Sequence, residues 1–107
     1  MTTTEFEQFQ TYCSKYGTAG EKAVRFVQEF GVDLLPQTQS DKTEEGTLLC
    51  WWDGPQWHVE IEFHQNGMFE YFWTHRLLGK YWGGSGGATV AVAPEELIEM
   101  LRKVAAG

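Results

Sequence analysis

The sequence predicts an α+β domain in which two N-terminal helices and one C-terminal helix accompany an antiparallel β-meander of three to four strands. Three observations lead to this fold class. Apolar residues recur every three or four positions near both ends of the chain, as in amphipathic helices. In the middle they alternate with polar residues, as in half-buried strands. The chain has 107 residues, the usual size of one domain, so a single domain over residues 1–107 is predicted.

Two helices are predicted in the first third of the chain. Thr4 and Glu7 have the spacing of a capping box and predict the start of the first helix. Thr18 and Glu21 repeat that spacing and predict the start of the second. The glycines expected to end the two helices are Gly17 and Gly31. The expected apolar stripes are Phe6, Phe9, Cys13 and Tyr16, then Ala23, Phe26, Val27 and Phe30.

A polar surface loop is predicted over residues 36–46, and strands follow it. The apolar and alternating segments predict strands over residues 47–52, 57–64 and 68–75, with a fourth over residues 79–82. Glycine and proline interrupt regular pairing and place a turn between the first two strands.

The C-terminal third begins with a glycine-rich run. Gly83–Gly87 is predicted to be a flexible loop, and it lacks the Gly-Lys-Ser/Thr ending of a phosphate-binding loop. Ala88–Val92 predicts a short edge strand. Pro94 is expected to start the last helix, because proline suits the first helical position. The apolar face of that helix is Leu97, Ile98, Leu101 and Val104.

The loop after His64 allows two hairpin registers. A two-residue turn would pair His58 with His75, whereas a three-residue loop with Gly67 in a left-handed conformation would pair His58 with Thr74. Only the second register gathers the apolar side chains on one face, so we predict the second. The side chains of that face are Val59, Ile61, Phe63, Phe69, Tyr71 and Trp73.

The opposite, solvent-facing side of the predicted sheet is acidic. We expect Leu49 and Trp51 to point into the core, which leaves Cys50 and Trp52 on the outer side. Aromatic side chains within a charged rim are typical of protein-binding surfaces. The candidate partner-binding residues are Trp52, His58, Glu60, Glu62, His64, Glu70 and Phe72. Glu62 is expected to lie opposite Glu70, an unfavourable pairing of like charges.

The charge balance excludes some partners and favours others. Fifteen acidic residues oppose eight basic ones, and the net charge is -7. Such a chain repels nucleic acids and anionic membranes but attracts a basic protein. The N-terminus lacks the features of a signal peptide, and no stretch is long and apolar enough for a membrane span, so the cytoplasm is the expected location. Cys13 and Cys50 are compatible with one disulfide but do not require it.

No catalytic residue, metal ion or cofactor is predicted. In the chosen register His75 lies on the core side, while His58 and His64 are about 20 Å apart along one strand, too far to share a metal ion. The rejected register would bring His58 and His75 together and allow a site. Carboxylates on an open sheet face, such as those of Glu60 and Glu62, are usually solvated rather than catalytic.

Four short segments resemble a loose group of short bacterial proteins without assigned function. The segments are Leu49–Trp51, Val59–Glu62, Asn66–Gly67 and Glu70–Phe72. The resemblance covers roughly residues 20–100. Genes of this group look like members of two-gene modules, which implies a protein partner and an antitoxin-like or immunity-like role. Cys50, where glutamate is common in the group, and the Gly83–Gly87 run depart from its pattern.

The sequence therefore supports two function hypotheses. The first is a non-enzymatic module that inhibits or sequesters another protein through the outer sheet face, and the net charge favours a basic partner. The alternative is a small-molecule or metal-binding protein, or a minor enzyme, with a pocket lined by histidines and by Trp57, Trp73, Tyr81 or Trp82. The Thr89–Val92 segment either covers a sheet edge of its own chain or pairs with a second chain, so the sequence allows a homodimer through this edge or through the helices.

Overall fold

A five-stranded antiparallel sheet and three α-helices form the structure, which confirms the α+β class and adds strands to the predicted meander. The structure, a computed structural model, describes residues 1–79, 81–86 and 93–106. The strands follow one another in the sheet in chain order. The elements are α1 (Thr3–Cys13), α2 (Gly17–Phe30), a 3-10 turn (Val32–Leu34), β1 (Gln39–Lys42), β2 (Leu48–Asp53), β3 (Trp57–Phe63), β4 (Phe69–His75), β5 (Tyr81–Gly86) and α3 (Glu95–Ala106).

Helix α1 begins at Thr3, and its capping box lies two residues before the predicted one. The Glu5 amide donates to Thr2 Oγ1 at 3.1 Å, and the Thr2 amide donates to Glu5 Oε1 at 2.7 Å. The predicted box of Thr4 and Glu7 is therefore wrong. Both pairs have the spacing of a capping box, so the spacing alone does not choose between them.

Helix α2 is capped by a side chain from the β3–β4 loop. Helix α1 ends at Cys13, with Ser14 as its C-cap, so the prediction that Gly17 ends this helix is wrong. Gly17 takes a left-handed φ of 57° and is the first residue of α2. The predicted capping box of Thr18 and Glu21 is wrong, because no local side chain caps this helix. Instead, Gln65 in the β3–β4 loop accepts a hydrogen bond from the Ala19 amide at 3.2 Å. This contact joins the start of α2 to the hairpin loop.

Helices α2 and α3 cover one face of the sheet and build the core against it. The Phe26 ring of α2 meets Phe63 and Phe69 edge-on, at centroid distances of 5.9 and 5.6 Å. Three of the four residues predicted for the apolar face of α3 are fully buried, and Ile98 is partly buried. The buried residues of α3 are Leu97, Met100, Leu101 and Val104.

The two faces of strand β2 are the reverse of those predicted. Trp52 is fully buried, and its indole Nε1 donates to Thr38 Oγ1 at 2.7 Å. Cys50 is buried beside it, whereas Leu49 and Trp51 are only half-buried and lie on the other side of the sheet. The expectation that Trp52 is exposed and Trp51 is in the core is therefore wrong.

The reason lies in the composition of β2. Five consecutive apolar residues, Leu48 to Trp52, show no alternation, so either set of side chains could face the core. The pairing with β3 decides between them. Trp52 stands opposite Val59, and Cys50 stands opposite Ile61, so the even-numbered residues of β2 join the buried side chains of β3.

The β3–β4 hairpin has the predicted register. His58 pairs with Thr74, and Glu62 pairs with Glu70. Gly67 has a φ of 86°, as the three-residue loop requires, and the His64 amide donates to Met68 O at 2.9 Å. The alternation of β3 was therefore a sufficient guide to its two faces.

The two outermost strands correct the predicted loops. Strand β1 pairs with β2 inside the segment predicted to be a surface loop. Its sequence, Gln-Ser-Asp-Lys, is polar throughout and carries no alternation. Strand β5 includes Gly83 to Gly86, which were predicted to be a flexible loop. The predicted edge strand Ala88–Val92, and with it the proposed self-association segment, lies outside the described residues.

Glycine in β5 makes room for aromatic side chains of β4. A Cβ atom at Gly83 would lie 2.5 Å from Phe72 Cδ1, and one at Gly84 would lie 2.8 Å from the Tyr71 hydroxyl oxygen. Both distances are well inside van der Waals contact. The glycine run therefore lets these rings approach the backbone of the neighbouring strand.

Candidate functional site

The candidate site is the sheet face turned away from α2 and α3, which we call the outer face. Alternation along each strand assigns its side chains. In strands β1 to β4 these are Gln39, Asp41, Leu49, Trp51, Asp53, His58, Glu60, Glu62, Glu70, Phe72 and Thr74. His64 follows β3 directly and lies beside Glu62 and Glu70. Six of the seven predicted site residues are thus gathered here.

Trp52 is the predicted site residue that the structure removes from this face. Its side chain is in the core, with no exposed surface. Trp51 takes its place in the cross-strand row that runs from Trp51 through Glu60 to Phe72. In strands β1 to β4 the outer face therefore carries Trp51 and Phe72 as its large aromatic side chains, and Trp51 is the neighbour of the predicted residue.

The outer face is acidic. Its five carboxylates are Asp41, Asp53, Glu60, Glu62 and Glu70. Among the described residues of β1 to β4, no lysine or arginine side chain lies on this face. Arg76, just after β4, reaches it and pairs with Asp53. The field above this surface consequently favours positively charged groups.

His58 bridges two carboxylates at one end of the outer face. Its Nδ1 lies 2.6 Å from Asp53 Oδ1, and its Nε2 lies 2.8 Å from Glu60 Oε1. A carboxylate can only accept, so both ring nitrogens must donate, which requires the protonated imidazole. Burial opposes this charge, but the hydrogen bonds to Asp53 and Glu60 outweigh burial and raise the pKa of His58.

The pKa of Asp53 is shifted in the opposite direction to that of His58. Burial alone would raise the pKa of its carboxyl, but hydrogen bonds from His58 and Arg76 outweigh burial and lower the pKa. The stability that Asp53 contributes is therefore present above its ordinary pKa of about 3.9 and is lost as the pH falls.

The His58 bridge predicts a pH-dependent stability. A raised pKa in the folded state stabilises the protein fully below the unfolded pKa of about 6.5 and no longer does so once the pH passes the folded pKa. We expect the free energy of unfolding of the wild type to be higher than that of His58→Gln. This difference should be largest near pH 6 and should shrink towards pH 9. Urea unfolding followed by tryptophan fluorescence measures this, and a difference that stays constant over that range contradicts the bridge.

A second cluster lies at the other end of the outer face. His64 Nε2 is 3.9 Å from Glu62 Oε2 and 3.7 Å from Glu70 Oε1. These separations are too long for hydrogen bonds. Glu62 Oε2 accepts a hydrogen bond from Thr47 Oγ1 at 2.7 Å, which fixes one carboxylate of the cluster.

The loop that carries His64 is held by its neighbour Gln65. The Gln65 amide nitrogen donates to Tyr16 O and Gly46 O, both at 3.0 Å, while its oxygen caps α2. Sequence reasoning missed this role, because a glutamine in a hairpin loop gives no local sign of a distant partner. The contacts connect the position of His64 to α2 and to the β1–β2 turn.

The cysteines do not form a reactive centre in this structure. Both thiols are buried and carry no disulfide. Burial raises the pKa of Cys13 to about 12 and also raises the pKa of Cys50, which disfavours the thiolate needed for nucleophilic attack. Cys50 lies on the core face and His58 on the outer face, so the sheet separates these two residues.

Two of the aromatic residues predicted for the alternative pocket, Trp57 and Trp73, contact other ring side chains. Trp57 meets His75 edge-on at a centroid distance of 4.6 Å, and Lys103 Nζ of α3 lies 5.3 Å from the Trp57 ring centroid. Trp73 stacks on Tyr71 with an interplanar angle of 6°. The side chains of Tyr81 and Trp82 lie outside the described part of the structure. A groove of about 460 Å³ lies elsewhere, between α1 and α2.

Comparisons with known proteins assign no family. No protein-family model, no curated protein and no solved structure matches the chain. Among the described residues, no helix has the length and apolar character needed to span a bilayer. The resemblance to short bacterial proteins therefore stays a prediction.

Proposed function

We propose that the protein is a non-enzymatic binding module that inhibits or sequesters a basic partner protein through its outer face. The observation that supports this proposal is the composition of that face. Five carboxylates surround half-buried apolar side chains, and the described parts of β1 to β4 place no lysine or arginine on this face. Arg76 and His58 pair with Asp53 and Glu60, which leaves an excess of negative charge. A chain with a net charge of -7 adds long-range attraction for a basic surface.

The apolar part of the outer face supplies the anchor. Leu49, Trp51 and Phe72 lie on strands β2 and β4, on either side of the β3 carboxylates Glu60 and Glu62. Aromatic side chains that a partner buries contribute much of the affinity of an interface, while surrounding charges set specificity and association rate. A partner with an apolar group flanked by lysine or arginine would complement this arrangement.

An antitoxin-like or immunity-like role is the specific form of this proposal. It rests on the resemblance to short proteins encoded in two-gene modules and on the acidity of the outer face. In that role the protein would occupy a basic functional surface of its partner. Co-purification from the native host under low and high salt would identify such a partner, and high salt should release it, because salt screens exposed charge pairs.

Variants of the outer face test the proposed surface. With a co-purified partner in hand, the double variant Trp51→Ala/Phe72→Ala should weaken binding by about 30-fold or more, equivalent to about 2 kcal/mol or more at a hot spot. Isothermal titration calorimetry measures the affinity, and circular dichroism checks that the variant is folded.

A matched control lies in the 3-10 turn. Leu34 is 60% exposed and lies outside the outer face, so Leu34→Ala should leave the affinity unchanged. Glu60→Gln removes one charge from the face and should mainly slow association and reduce its salt dependence. Equal affinity of wild type and the double aromatic variant would show that the partner binds elsewhere.

A further inference from the structure

We propose that Glu62, His64 and Glu70 form a binding site for a divalent transition-metal ion, with Zn²⁺ as the probe. One ligand atom from each of these three residues lies within 4.8 Å of the other two. Together they supply one imidazole nitrogen and two carboxylate oxygens. Zinc accepts these donors, and an imidazole ligand favours zinc and similar transition ions over magnesium or calcium.

The separations between His64 and the two carboxylates are closer to those between ligands of one metal ion than to those of hydrogen bonds. His64 Nε2 lies 3.9 and 3.7 Å from the nearest oxygens of Glu62 and Glu70. Two ligands bound tetrahedrally to one zinc ion at about 2.1 Å lie about 3.4 Å apart. Closing the two His64–carboxylate separations to that value takes shifts of about 0.5 Å or less. The Glu62 and Glu70 oxygens, which lie within 4.8 Å of each other, would have to approach by up to about 1.4 Å through side-chain torsions.

The state of the His64 ring is a second observation at this site. His64 Nε2 is itself buried and has no hydrogen-bond partner among the described residues, although the side chain as a whole is 29% exposed. Leaving such an atom unsatisfied is unfavourable, and native structures seldom do so. A cation between the imidazole and the carboxylates would satisfy this nitrogen.

The same cation would relieve an electrostatic conflict. Glu62 and Glu70 are directly opposed across β3 and β4, where like charges destabilise the sheet. In the other cluster His58 already donates to its carboxylates at 2.6 and 2.8 Å, so both of its ring nitrogens are engaged. The two histidines of the outer face are thus in different situations, and only His64 has a nitrogen available as a ligand.

Neighbouring hydrogen bonds hold the proposed ligands in place. Thr47 Oγ1 donates to Glu62 Oε2 at 2.7 Å and is itself in contact with Thr43 Oγ1 at 2.6 Å. The Gly67 amide donates to His64 O at 3.0 Å and closes the loop beneath the ring. Partners of this kind orient metal ligands in proteins. Three protein ligands leave at least one coordination position for water or for a side chain of a bound protein.

Zinc titration of the isolated protein, purified without a histidine tag, tests the site. We expect one equivalent of Zn²⁺ to bind in calorimetry and to remain after dialysis in elemental analysis. His64→Ala and Glu70→Gln should each lower the affinity by at least about 100-fold, and Thr47→Val by about 10-fold, since it removes only a supporting hydrogen bond. Near-UV circular dichroism, which reports the packing of the aromatic side chains, checks that each variant is folded.

His58→Gln and Glu60→Gln are the matched controls, because they change the same face outside the proposed ligand set. Both should keep the wild-type affinity for Zn²⁺. No uptake of zinc by the wild type would overturn the proposal, and so would uptake that survives both His64→Ala and Glu70→Gln. An equal loss in the two control variants would show a diffuse attraction to the acidic face. None of these outcomes depends on the protein partner, so the metal site and the binding role are tested separately.

Discussion

Replacing Trp52 with alanine is expected to lower the free energy of unfolding by about 3–5 kcal/mol, the usual cost of removing a large aromatic side chain from a core. Trp52 is fully buried, and its indole donates to Thr38 Oγ1 at 2.7 Å. The substitution would therefore leave a cavity and remove the donor to the buried Thr38 hydroxyl, which keeps only its weak contact with Met1 Sδ. Urea denaturation followed by circular dichroism gives the free energy.

Trp51→Ala is the control for this measurement, because it changes the same residue type one position earlier in β2. Trp51 is half-buried on the outer face, so its removal should cost about 1 kcal/mol. The contrast between the two neighbours reports which side of β2 faces the core. A larger loss from Trp51→Ala than from Trp52→Ala would contradict the strand orientation and the composition of the outer face.

Gly20→Ala is expected to destabilise the protein by about 3 kcal/mol, at the upper end of the cost of overpacking. In an exposed helix interior the same change normally stabilises by about 1 kcal/mol. At Gly20, however, a Cβ atom would lie 1.9 Å from the carbonyl oxygen of Cys13 in α1. The obstacle is backbone, so α1 and α2 would have to move apart.

Thermal and urea unfolding of Gly20→Ala beside Gln28→Ala measures this effect. Gln28 is an exposed position of the same helix, and its substitution should change the free energy of unfolding by less than about 0.5 kcal/mol. A Gly20→Ala variant as stable as wild type would show that α1 and α2 do not pack as closely as described.

The parts of the fold that the sequence predicted correctly are those with strong periodicity. Strand β3 alternates without interruption, and that pattern gave the register with β4 and the outward direction of Glu60 and Glu62. The apolar stripe of α2 correctly predicted the burial of Ala23, Phe26 and Val27, whereas Phe30 is only partly buried. In each case one face of a single element carries the apolar residues, so local sequence is sufficient.

The errors occur where the deciding contact is distant in sequence. Strand β2 is apolar on both faces, and its orientation depends on pairing with β3. Strand β1 is polar on both faces, and it is a strand because its backbone pairs with β2. Backbone pairing does not require any particular side chain, so the sequence of β1 contains no pattern that predicts a strand.

The candidate site shows the same division. The sequence predicted the outward set on β3 and β4, including Glu62 opposite Glu70, but gave no sign that His64 would lie beside both carboxylates. The cluster of Glu62, His64 and Glu70 combines two strands and a loop, and its arrangement depends on hydrogen bonds from Thr47 and Gln65. Such a cluster follows from the hairpin register together with the loop geometry, which the strand alternation does not contain.

The central claim, that the outer face binds a protein partner, is tested most directly by the indole N–H signals of Trp51 and Trp52 in NMR spectra. The two side chains are adjacent in sequence but lie on opposite faces of β2. Single Trp→Phe variants assign the signals. On addition of the co-purified partner, the Trp51 signal should shift or broaden while the Trp52 signal stays in place. A complex that forms without any change at Trp51 would contradict the claim.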